Sequence, residues 1–206
     1  MPKKQDSKQD LPLRRSPLLP IHDEFIVDYK NLRLAERKAL TSIQILSFKG
    51  KHQDTAKAIE KVIGIECSTE PGISNSDGKT QVCWNGPNSW MVIVSDEESA
   101  HGPGELLHTL RAAVGDLGAV VDQSHGRCGL RLSGARARQV MAKNTAIDLH
   151  PRAFAPGRCA MTSIAHMNAT IVQVDDAPTY DLFVIRSLAR SFAHAIEHAC
   201  HEFESE

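Results

Sequence analysis

The sequence predicts an α+β protein built from two packed lobes of short strands and helices, preceded by an extended arm. Three observations carry this reading. Strand pairs followed by helices occur twice along the chain. The last helix carries an apolar stripe at helical spacing, as a helix packed on a sheet does. The composition is that of an ordinary globular protein: 206 residues, 41% hydrophobic, 24% charged, formal net charge −1. A chain of this length buries roughly 70% of the surface its unfolded form exposes, enough for one large domain or two small lobes. The near-neutral charge gives no global reason to expect nucleic acid or an acidic membrane. No run approaches the ~18 apolar residues of a membrane span. The expected division is an arm over residues 1–24, a first lobe over 25–118 and a second over 119–206.

The arm mixes lysine, glutamine, aspartate and proline with little apolar periodicity. Within it Ser16-Pro-Leu-Leu-Pro-Ile21 is apolar enough to lie along a surface. The first ten residues are polar, and Pro12, Pro17 and Pro20 break the only apolar stretch near them, so no secretory signal is read and the expected compartment is the cytoplasm. Cys67, Cys83, Cys128, Cys159 and Cys200 are widely spaced, with no Cys-x-x-Cys pair, and read as buried reduced thiols.

In the first lobe Ile43–Phe48 reads as a strand, because β-branched and aromatic residues alternate with polar ones. Residues 53–63 place Ala56, Ile59, Val62 and Ile63 at helical spacing, and Gly64 supplies the stop. Thr80–Trp84 and Ser89–Val94 form a hairpin around the turn residues Asn85-Gly-Pro-Asn88, with Trp84 and Trp90 on its two arms. These tryptophans are core residues on the simpler reading and interface anchors on the other. Glu105–Gly115 is a helix. The second lobe opens with strands at Ala119–Asp122 and Gly129–Ser133, then a helix over 135–143. The proline-rich crossing His150–Arg158 leads to strands at 160–165, 170–174 and 180–184. The closing helix runs from Ile185 to about Phe203 on the stripe Ile185, Leu188, Ala189, Phe192, Ile196, Ala199 and Phe203. The two lobes share pattern rather than letters.

Each candidate for chemistry has a plainer reading. His194-Ala-Ile-Glu197-His198 has the H-x-x-E-H spacing of a zinc hydrolase, but the apolar stripe turns these histidines outward, giving a solvated helix face. Asp122, Ser124 and His125 contain the residue types of a catalytic triad. Triads, however, are assembled from separate segments, and no G-x-S-x-G elbow is present, so a turn is read. No G-x-G-x-x-G or P-loop cradles a dinucleotide or a triphosphate. Gly134, at the start of a helix, either admits an anion or relieves crowding. Between Arg127 and Arg158 seven basic residues stand against one acid, Asp148. That asymmetry suits a salt-paired surface or a protein interface. Phe154 is the lone ring there, which argues against a nucleic-acid platform.

Two runs carry a family resemblance: Gly126-Arg-Cys-Gly-Leu-Arg-Leu-Ser-Gly-Ala-Arg-Ala-Arg-Gln-Val-Met-Ala-Lys143 and Asp148-Leu-His-Pro-Arg-Ala-Phe-Ala-Pro-Gly-Arg-Cys-Ala-Met-Thr162. With Arg15-Ser-Pro-Leu18, Trp84-Asn-Gly-Pro-Asn-Ser-Trp90 and Asp176-Ala-Pro-Thr-Tyr-Asp181, they resemble the gamma subunit of heterotetrameric sarcosine oxidases. The resemblance implies a small non-catalytic subunit of a flavoenzyme complex, an oxidoreductase that oxidises sarcosine to glycine, hands the one-carbon unit to tetrahydrofolate and passes electrons to oxygen. It implies alpha, beta and delta subunits as partners, with no nucleic acid and no membrane. FAD, FMN, NAD, tetrahydrofolate and zinc then belong to the other subunits, and this chain contributes no catalytic, cofactor or metal residues. The implied fold is similar to a reduced folate-binding aminomethyltransferase. Complexes that oxidise other N-methylated amino acids have a similar subunit. The competing readings are a stand-alone folate-binding aminomethyltransferase-like protein and a metal hydrolase using His194 and His198. On the leading reading the interface is expected to include Pro17, Leu18, Pro151, Arg152, Phe154, Pro156 and Arg158, and an acid at Arg152 or Phe154 is expected to weaken assembly while leaving the isolated subunit folded.

Overall fold

The computed structural model describes residues 15–19, 25–95 and 104–205. In chain order the elements are β1 (Phe25–Tyr29), β2 (Leu32–Arg37), β3 (Leu40–Ser47), α1 (His52–Ile63), β4 (Ser74–Ser76), β5 (Thr80–Gly86), β6 (Ser89–Ser95), α2 (Glu105–Val114), β7 (Gly118–Asp122), β8 (Arg127–Ser133), α3 (Ala137–Asn144), β9 (Cys159–Ile164), β10 (Met167–Asp175), β11 (Thr179–Ile185) and α4 (Ala189–Cys200). Short 3-10 turns occupy Gly115–Leu117, Arg186–Leu188 and His201–Phe203.

The strands form a six-stranded sheet ordered β1-β2-β8-β11-β10-β9 and a five-stranded sheet ordered β4-β5-β6-β3-β7. Neighbours within both are antiparallel. Alternation along the strands separates the cores, since successive side chains point to opposite faces. On β6, Trp90, Val92 and Val94 pack with Ile59 of α1 and Leu110 of α2, while Met91 and Ile93 face the other way. On the six-stranded sheet Leu130, Leu132, Leu182 and Val184 pack with Val140 of α3 and Phe192 and Ile196 of α4. Cys83, Met91, Ile93, Cys159, Val172 and Phe183 form a third cluster drawn from both sheets. The molecule is therefore layered helix, sheet, sheet, helix. Between the sheets, the buried Thr170 hydroxyl donates to Asn85 Oδ1 at 3.1 Å. Backbone bonds stitch the sheets along one margin, from Ser74 N to Gly157 O at 2.8 Å and from Cys159 N to Gly72 O at 2.9 Å.

The expected repetition has a topological basis. The order strand, helix, three strands, helix occurs as β3-α1-β4-β5-β6-α2 and again as β8-α3-β9-β10-β11-α4. In each the first strand sits beside the fourth, giving β4-β5-β6-β3 and β9-β10-β11-β8. The fifth position is filled differently. β7 follows its unit in the chain and pairs with β3, whereas β2 precedes its unit and pairs with β8. Two stretches thus lie across the divide drawn from sequence. Residues 25–37 supply β1 and β2 to the sheet of the later strands, and Gly118–Asp122 joins the sheet of the earlier ones.

The closing helix is shorter than its expected span. Ile185 ends β11, where it pairs with Arg127, and α4 begins only at Ala189. Ile185 and Leu188 are exposed, so they take no part in the stripe. The buried face runs through Ala189, Phe192, Ala193, Ile196 and Cys200.

Candidate functional site

Interface candidates come from two segments: the arm and the crossing between α3 and β9. Of the expected arm, residues 1–14 and 20–24 lie outside the described residues. Residues 15–19 lie on the body, as their apolar character suggests. Leu18 is 2% exposed and belongs to the core beneath α3 and α4. Three carbonyls of the segment are held by two arginines, one from the 3-10 turn before α4 and one from the first turn of α4. Arg186 Nη2 donates to Arg15 O at 2.6 Å, and Arg190 donates to Pro17 O at 3.1 Å and Leu19 O at 2.9 Å. Ser16 turns the chain, accepting from Leu18 N at 2.9 Å and donating its hydroxyl to Glu36.

In the crossing, Asp148 Oδ1 accepts from His150 N at 2.8 Å, and His150 O accepts from Phe154 N at 2.9 Å. This coil drives Phe154 inward, where it is 6% exposed and packs in the same core as Leu18. Pro151, Arg152 and Pro156 project into solvent. Arg158 is half-buried, and its guanidinium lies 4.0 Å from Glu70. Of the seven residues expected at an interface, then, Leu18 and Phe154 are used inside the subunit. Pro17 is half-buried beside the arm's arginine clamp.

The basic run dissolves into separate places once folded. Arg131 Nε and Nη2 grip Asp181 at 2.7 and 2.9 Å, and Arg37 Nη1 reaches the same carboxylate at 2.7 Å. Asp181 is 1% exposed, on the face of its sheet that meets the other sheet. Arg138 Nε donates to Tyr180 Oη at 3.1 Å. Arg136 and Lys143 lie over the Phe203 ring at 5.6 and 4.8 Å, and Lys143 also pairs with Glu202. No single basic face results. Strand alternation turns Arg131 toward Asp181, with its side chain still 42% exposed, while Arg152 points to water.

The residues that invite a triad form a turn. Asp122 Oδ1 accepts from Ser124 N at 2.8 Å, and Ser124 Oγ accepts from Ser42 N at 3.1 Å. Both hydroxyl and carboxylate thus serve backbone donors. His194, His198 and His201 lie on the exposed side of α4 and the turn beyond it. Among the described residues no group of three or more His, Cys, Asp or Glu is placed to hold a metal ion. Gly134 relieves crowding: a Cβ there would lie 2.3 Å from Asn31 O. Trp90 is buried, stacks on His52 at 4.9 Å and donates its indole N–H to Ser68 O at 2.8 Å. Trp84 is half-buried against the cluster between the sheets. All five cysteines are free and buried. Burial pushes the Cys67, Cys128 and Cys200 thiols up to about 12 and Cys159 to about 11, and raises Cys83 well above its usual value. Such thiols are poor nucleophiles.

Sequence reasoning did not single out a cavity of about 260 Å³ beneath the arm, walled by residues 15–17 and 19, the β2–β3 corner, Ser124 and His125 with the start of β8, and Arg186. It brings together segments 171 positions apart, as the Arg15–Arg186 bond shows, so no local pattern announces it.

Comparison with known proteins places this architecture. A family model described as sarcosine oxidase, gamma subunit family, matches residues 49–202. The sarcosine oxidase subunit gamma of Corynebacterium sp. (strain P-1) is 30% identical over 151 residues, 72% of this chain and 71% of that protein. Its counterpart in Corynebacterium sp. (strain U-96) is 29% identical over 160 residues, 75% of each chain. Among solved structures, a chain of the heterotetrameric sarcosine oxidase from Corynebacterium sp. U-96, in complex with pyrrole 2-carboxylate, superposes with a TM-score of 0.79 at 25% identity. The match covers 94% of this chain and 97% of that one. The layers, the sheet order and the shared sequence run together over most of the chain, which belongs to the sarcosine oxidase gamma-subunit family.

Proposed function

We propose that this chain is the gamma subunit of a heterotetrameric sarcosine oxidase-type flavoenzyme, completing a cytoplasmic complex with alpha, beta and delta subunits and contributing no catalytic residue of its own. The complex demethylates sarcosine to glycine. The N-methyl carbon gives up two electrons and is taken by tetrahydrofolate at the formaldehyde level, and the two electrons reduce oxygen to hydrogen peroxide. FAD, FMN, NAD, tetrahydrofolate and zinc are assigned to the partner subunits. Within this reading the fold is a reduced form of the folate-binding aminomethyltransferase architecture.

The observation that carries the reading is the superposition on a chain of a heterotetrameric sarcosine oxidase over nearly the full length of both. At the one helix start the sequence left open to an anion, this chain's residues leave no room for one. The turn into α3, the position at which a pyrophosphate would meet a helix start, has the space beside Gly134 filled by the backbone of Asn31. Free, buried thiols suit a reducing compartment.

Native mass spectrometry of the untagged protein from its own host tests the assignment. A four-subunit complex carrying flavin is expected, and a lone chain holding folate or zinc would overturn it. The exposed members of the crossing, Pro151, Arg152 and Pro156, are the proposed contacts, with Pro17 and Arg158 at their margins. Arg152→Glu is expected to lower recovery of the partners by several-fold while the subunit keeps its melting temperature. Phe154→Asp buries a charge in the core and is expected to abolish folding, so it reads stability rather than contact.

A further inference from the structure

The cavity beneath the arm has a chemistry that a scaffolding role does not use. Its lining holds five cations, Arg15, Arg37, Lys38, Arg127 and Arg186, against one carboxylate, Glu36. Arg37 is neutralised by Asp181 at 2.7 Å, and Glu36 accepts from the Ser16 hydroxyl. Arg186 is turned toward the arm's backbone. The guanidinium of Arg127 is half-buried yet makes no hydrogen bond or ion pair among the described residues. Burial lowers its pKa from the usual value, as expected of a cation withdrawn from water without a counter-ion. Five N–H donors in a rigid fork are thereby presented to a space rather than to a protein group.

The walls around it are set. Gly129 on the floor is closely covered: a Cβ there would lie 2.8 Å from Leu40 Cδ1. The adjoining corner holds Ala39 at φ 50, a left-handed conformation that costs a non-glycine residue about 1–2 kcal/mol and is kept only where the surroundings dictate it. The volume of about 260 Å³ admits a small ion or a short organic molecule.

We propose that this cavity binds a phosphate group, free or at the end of a small phosphate ester, with Arg127 as its principal ligand and Arg186 completing the positive surround. With Arg37 and Lys38 engaged by partners in the protein, Arg15, Arg127 and Arg186 remain against Glu36 in the lining, a balance that favours a dianion over a monoanion. Arg127 offers paired N–H donors to two oxygens of one group. This site lies beyond the assembly role and does not depend on it.

Equilibrium dialysis of the protein as purified from its host, in whatever assembly it is recovered, against radiolabelled inorganic phosphate at constant ionic strength tests the proposal. One saturable site per gamma chain is expected, displaced by glycerol phosphate and at least tenfold less well by acetate. Arg127→Met is expected to weaken phosphate binding tenfold or more, Arg127→Lys several-fold, and Lys57→Met, on the exposed face of α1, not at all. If Arg127→Met does not assemble, Arg127→Lys, which keeps the charge and loses the paired donors, still decides the matter, because unchanged affinity there overturns the site. Absence of saturable binding, or binding indifferent to Arg127→Met, also overturns it. So does a structure of the complex in which a partner's acidic side chain sits on Arg127.

Discussion

Asp181 shows what one residue can hold together. It stands on β11 directly opposite Arg131 of β8, and Arg37 reaches it from the end of β2, so one carboxylate ties three adjacent strands. An acid this deeply buried is stable only because both partners are present. Asp181→Asn is expected to cost on the order of 3 kcal/mol, read as a lower urea midpoint with an unchanged slope. The cysteines act through burial in the opposite sense. Each thiol whose folded pKa lies at about 11 or 12 stays neutral while its unfolded counterpart ionises near 9.0. The unfolded state therefore binds fewer protons in that interval. Stability from this source is intact below pH 9 and is lost as pH rises through 11 and 12. Urea melts from pH 7 to 11 are expected to show a midpoint that falls steeply only above pH 9. A thiol reagent at pH 8 is expected to label none of the five until the chain unfolds.

At the scale of elements, two glycines separate conformation from space. Gly64 ends α1 at φ 70, and a Cβ there would meet nothing within 4 Å, so Gly64→Ala carries only the left-handed backbone cost of about 1 kcal/mol. Gly134 combines φ 111 with Asn31 O 2.3 Å from its missing Cβ, and Gly134→Ala is expected to cost at least twice as much. Thermal melts of the two variants check the order. The first stop was legible because Gly64 follows an apolar period of 3.6. The start of α4 was not, because Ile185 and Leu188 fall in phase with the stripe by chance while strand pairing with Arg127 holds the chain extended through Ile185. β2 carried a readable signal in the alternation of Leu32 and Leu34, both fully buried, but it is short and follows another short strand.

For the whole molecule, the arm is a fastening that crosses the chain. Leu18 fills the core under α3 and α4, and Arg186 and Arg190 hold the carbonyls around it. Leu18→Ala is expected to cost about 3 kcal/mol. Arg190→Met is expected to leave the core intact but speed proteolytic cleavage around residues 15–19, followed by mass spectrometry of the fragments. By itself the sequence determined the class of fold, the positions of most strands and helices, the buried thiols and the membership of the gamma-subunit family. These rest on local periodicity, turn chemistry and runs of neighbouring residues, which are written along the chain. Only the tertiary structure decided that β2 and β7 fill equivalent places in the two sheets, that the basic run is scattered, that Leu18 and Phe154 face inward, and that Arg127 borders a cavity. Those outcomes depend on which face of a strand meets which layer, and on contacts between residues more than a hundred positions apart, where a one-residue change of phase reverses the result.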